Sequence, residues 1–114
     1  MPSRSGSLIE LQVKLSAAYQ KMGAREDADR HFKDAVTRFE RRLSRGADDP
    51  STKYYVAALY GLRGDAEKAV RYLGESLTAL PALNRARAEA DPDFDPVRED
   101  PAFIGLLRSA APVG

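Results

Sequence analysis

The sequence is short of the residues on which most recognisable chemistry depends. It has no cysteine, which excludes a disulfide framework, a thiolate zinc site and a cysteine nucleophile and points to the cytoplasm. It has one histidine, His31, with no partner motif for a nucleophilic dyad, so it reads as a rim residue rather than a catalytic one. Neither sign of charge dominates: 18 Lys and Arg face 17 Asp and Glu, a formal net charge of +1. That is no electrostatic footprint for nucleic acid. No apolar run approaches the roughly 18–20 residues of a membrane span. The first seven residues, MPSRSGS, are polar and lack a secretory core, and are expected to be a disordered lead or an expression remnant. No window alternates apolar and polar long enough for a strand. Gly61-Leu-Arg-Gly64 does not open a helix after a strand and is not a phosphate loop. Nothing reads as an enzyme, and no cofactor or metal is expected.

What is present is helical periodicity. At 114 residues, 43% hydrophobic and 31% charged, the chain has an ordinary soluble composition and the length of one domain or a piece of one. Leu8, Leu11, Leu15, Ala18, Tyr19 and Met22 recur at three- and four-residue steps, an expected inward face, and Gly23 supplies a stop. Ala28, Phe32, Ala35, Phe39 and Leu43 repeat the pattern up to Gly46, with Arg41, Arg42 and Arg45 favouring the negative helix end. A third helix, capped by Ser51, carries Tyr55, Val56, Leu59, Tyr60 and Leu62. A fourth, capped by Asp65, turns Ala66, Ala69, Val70, Leu73, Leu77 and Leu80 inward, with Pro81 marking its end. Leu83, Ala86 and Ala90 suggest a fifth.

These helices contain an internal repeat. Tyr19, Gly23, Ala28 and Phe32 each lie 41 positions before Tyr60, Gly64, Ala69 and Leu73. The tyrosine fills the space between two helices, the glycine permits the turn, and the alanine lets the second helix approach. Leu15-Ser16, Tyr19, Ala28 and Phe32, then Val56-Ala57, Tyr60, Ala69, Leu73 and Pro81, resemble the tetratricopeptide repeat family. Its pattern is Leu-Gly-x-x-Tyr, then Ala-x-x-x-Phe, then Pro, with a usual period of about 34 residues. Gln12 and Lys53 stand where that pattern has tryptophan, and Glu40 replaces the first closing proline. The longer period adds about two helical turns to the second helix.

The resemblance implies an all-α fold, a right-handed stack of antiparallel helix hairpins. Residues 8–45 form the first hairpin, 51–81 the second, and 82–114 a fifth helix with a proline-punctuated C-terminal cap. About three repeats are usually needed for a stable array. Two therefore suggest either the C-terminal part of a larger protein or self-association through the first hairpin. In this family the first helix of each hairpin lines a concave face that binds extended peptides or partner helices. Carried over by face, that role falls on Val13, Ala17 and Gln20, on Tyr54, Ala58 and Gly61, and on Asn84 and Arg87. The implied function is a non-catalytic adaptor or scaffold for another protein or peptide. A homo-oligomerisation domain is the alternative, and burial of these residues by the cap is the competing fate for the groove.

The stretch DPDFDPVREDPAF, from Asp91 to Phe103, begins like a calcium loop. Such a loop needs glycine at its sixth position and glutamate at its twelfth, where this chain has Pro96 and Ala102. Asp91-Pro92 is instead expected to end the fifth helix, and Asp95-Pro96 and Asp100-Pro101 each to start a short one. Phe94, Val97, Phe103, Leu106 and Leu107 would cover the open end of the stack, with Arg98, Glu99 and Arg108 facing water. The stretch also resembles the tail that often closes bacterial proteins ending in tetratricopeptide repeats.

Overall fold

In a computed structural model, residues 4–46, 50–79 and 81–109 are described. Among them the chain is all-helical: α1 (Arg4–Lys21), α2 (Arg25–Ser44), α3 (Pro50–Leu62), α4 (Ala66–Ala79), α5 (Pro81–Ala90), a 3-10 helix η1 (Pro92–Val97) and α6 (Pro101–Ser109). No helix among them is long and apolar enough to cross a membrane. The helix expected from Leu8 begins at Arg4, inside the supposed disordered lead, while residues 1–3 lie outside the description. Pro81 opens α5 instead of closing α4, as its fixed φ suits a first helical position. Ser51 falls inside α3, which begins at Pro50, so it is not that helix's cap.

α1 packs on α2 and α3 on α4 as two hairpins, and α1 lies along α3. The two turns are the same object. Gly23 and Gly64 have φ of 80° and 79°, a left-handed conformation that glycine adopts without strain. The Ala24 N–H donates to Tyr19 O at 2.9 Å and the Asp65 N–H to Tyr60 O at 3.0 Å. Gly23 donates to Gln20 O at 3.1 Å and Gly64 to Gly61 O at 3.0 Å. Ala28 and Ala69, the first inward residues after each turn, are buried. Asp65 accepts from the Lys68 N–H at 3.2 Å and caps α4 as expected.

Aromatic rings join the hairpins. Phe32 meets Tyr60 edge-on at 5.6 Å, Tyr60 stacks on Tyr72 at 5.9 Å, and Phe39 meets Tyr72 edge-on at 5.1 Å. Ser16, fully buried, donates to Ala28 O at 3.0 Å, so its hydroxyl is satisfied inside the first hairpin.

The inward faces of α1 and α5 differ from expectation. On α1 the buried residues are Ile9, Val13, Ser16 and Ala17, while Leu8, Leu11 and Met22 are exposed. This helix carries two apolar stripes, and close approach to α2 and α3 takes the one that offers the small residues Ser16 and Ala17 beside Ile9 and Val13. On α5, Asn84 and Ala88 are buried, and Leu83, Ala86 and Ala90 are exposed. Asn84 is admitted because its amide donates to Ser76 O at 3.2 Å.

Candidate interaction surfaces

η1 fills the face that the hairpins leave between α3 and α5. Asp91 begins it: its carboxylate accepts the Asp93 N–H at 3.0 Å and the Tyr54 hydroxyl at 2.9 Å. Phe94 and Val97 point inward and are buried. The Phe94 ring lies 5.9 Å from Tyr54 and 5.3 Å from Phe103, which α6 brings from the other side. Gly61 makes the room. A methyl there would stand 2.8 Å from Phe94 Cδ1 and 3.2 Å from Asp93 O. Burial, the hydrogen bond to Asp91 and that carboxylate's charge push the Tyr54 phenol above its ordinary value, so it stays a donor.

The groove expected to be open is therefore closed by the chain itself. Val13, Ala17, Tyr54, Ala58, Gly61 and Asn84 are buried, and as an exposed peptide-binding face they are corrected. Gln20 and Arg87 keep partial exposure. The Gln20 amide donates to Leu62 O at 3.0 Å, tying α1 to the end of α3. The Arg87 guanidinium lies 4.4 Å from the Tyr54 ring centre and donates to the Tyr55 hydroxyl at 3.4 Å.

The aspartates of this stretch serve helix ends, though not all where expected. Asp100 caps α6, accepting the Ala102 N–H at 2.9 Å. Asp95 starts no helix, since Pro96 lies within η1. Its carboxylate accepts from Arg98 Nε at 3.0 Å instead. Arg98, expected to face water, turns back over the end of α5. Its guanidinium donates to the carbonyls of Ala88 at 3.4 Å, Glu89 at 3.1 Å and Asp91 at 2.7 Å. The carbonyls of Ala88 and Glu89 are acceptors a helix end leaves without partners, and a fork of fixed donors suits them. No spacing in the sequence signals this role.

Among the described residues, a cleft and an apolar helix face stay open. The cleft, of about 530 Å³, lies between the two turns and is lined by Gln20, Gly23, Arg25, Ala28, Asp29 and Arg63. Arg63 is already engaged there, paired with Asp29 and lying 4.7 Å from the Phe32 ring centre. His31, on α2, is half-buried and stacked on Tyr19 of α1 at 5.3 Å. The other surface is the outer face of α1, where Leu8, Leu11 and Met22 are 39%, 51% and 75% exposed. Leu15 and Ala18 complete that stripe, half-buried and exposed respectively. Periodicity assigned these residues to the core. The repeat carried a contrary signal, because Met22 corresponds to Arg63, a surface charge, whereas Ser16 and Ala17 correspond to the small residues Ala57 and Ala58. The chain matches no family model, no curated protein and no solved structure.

Proposed function

We propose that this chain is a non-catalytic protein–protein interaction module of tetratricopeptide-like build, an adaptor or scaffold, that engages its partner through the outer face of α1. The turn repeated at 41 positions, with its matching hydrogen bonds, supports the repeat-array reading. One observation carries the choice of surface. Leu8, Leu11 and Met22 of α1 stand exposed along one side while Ile9, Val13, Ser16 and Ala17 fill the core. Isolated exposed leucines are ordinary, but a stripe along one helix marks a contact face. The groove, by contrast, already holds Phe94. Affinity capture from the native host with the wild-type chain and with a Leu11→Glu/Met22→Glu variant tests this reading. The partner is expected on the wild type alone. An identical set of captured proteins on both overturns it.

A further inference from the structure

We draw no further inference here: the strongest candidate, the apolar outer face of α1, belongs to the surface already described, and nothing in the structure shows what covers it.

Discussion

The turn at Gly23 and the turn at Gly64 share their φ angles and their hydrogen bonds, yet the helices entering them meet different surroundings. From Thr52 to Leu62, α3 is buried throughout except for half-buried Tyr55. Its counterpart α1 buries one side and leaves Leu8, Leu11 and Met22 outside. Local chemistry therefore sets the turn, and distant chain sets the burial. The difference is the arrival of η1 and α6, which among the described residues have no equivalent over the first hairpin.

The sharpest way to break that contrast is to empty the cap. Phe103→Ala removes a ring that is 1% exposed and is expected to cost about 3–5 kcal/mol in chemical denaturation. A loss under about 1 kcal/mol would mean that the cap contributes little to the second hairpin. Next comes a matched pair at one position of the repeat, Gly61 and Gln20. Gly61→Ala drives a methyl into the Phe94 ring and the Asp93 carbonyl and is expected to cost about 1–3 kcal/mol. Gln20→Ala loses only its hydrogen bond to Leu62 O, about 1 kcal/mol. Equal costs in thermal melts would erase the asymmetry.

Gly23→Ala and Gly64→Ala sharpen the other half of the comparison. Neither site has an atom within reach of an added Cβ, so only the left-handed backbone resists, at about 1–2 kcal/mol. The two costs should agree although their hairpins are buried differently.

The smallest effect belongs to Asp93. Burial, then the charges of Asp91 and Asp95, push its carboxyl above the ordinary value, with Lys21 opposing. A raised folded value means that the folded chain holds this proton more tightly than the unfolded chain does. Its contribution to stability is complete below pH 3.8 and is lost as pH rises through the folded value. Asp93→Asn removes that loss, so the variant should be more stable at pH 7 by less than about 1 kcal/mol. The gap should close in acid, and a gap that persists there would assign the effect to something other than this charge.

The helices, the repeated turn and the aromatic filling of the cap were legible because each depends on neighbours in sequence. Glycine follows a periodic stripe, alanine follows the glycine, and Asp-Pro pairs punctuate the tail. What escaped was the choice between stripes. α1 has two stripes, both helical in period, and only the closeness of α2 and α3 selects Ile9, Val13, Ser16 and Ala17. On α5 the polar Asn84 was passed over for Leu83, because its partner, Ser76 O, lies on another helix. The groove was lost for the same reason. Its residues were read as a face, but the segment that covers Tyr54 and Gly61 returns from 37 positions further along the chain, where Asp91 meets Tyr54.

That contact between Tyr54 and Asp91 also has an optical consequence. The chain contains no tryptophan, so its ultraviolet emission comes from tyrosine alone. A phenol whose proton is held by a carboxylate emits weakly, because excitation sharpens its acidity and the proton is drawn toward the acceptor. Tyr54 is such a phenol, and it is dark only while η1 lies in place. Lifting η1 away would brighten it, which gives the closure a built-in, label-free fluorescence signal.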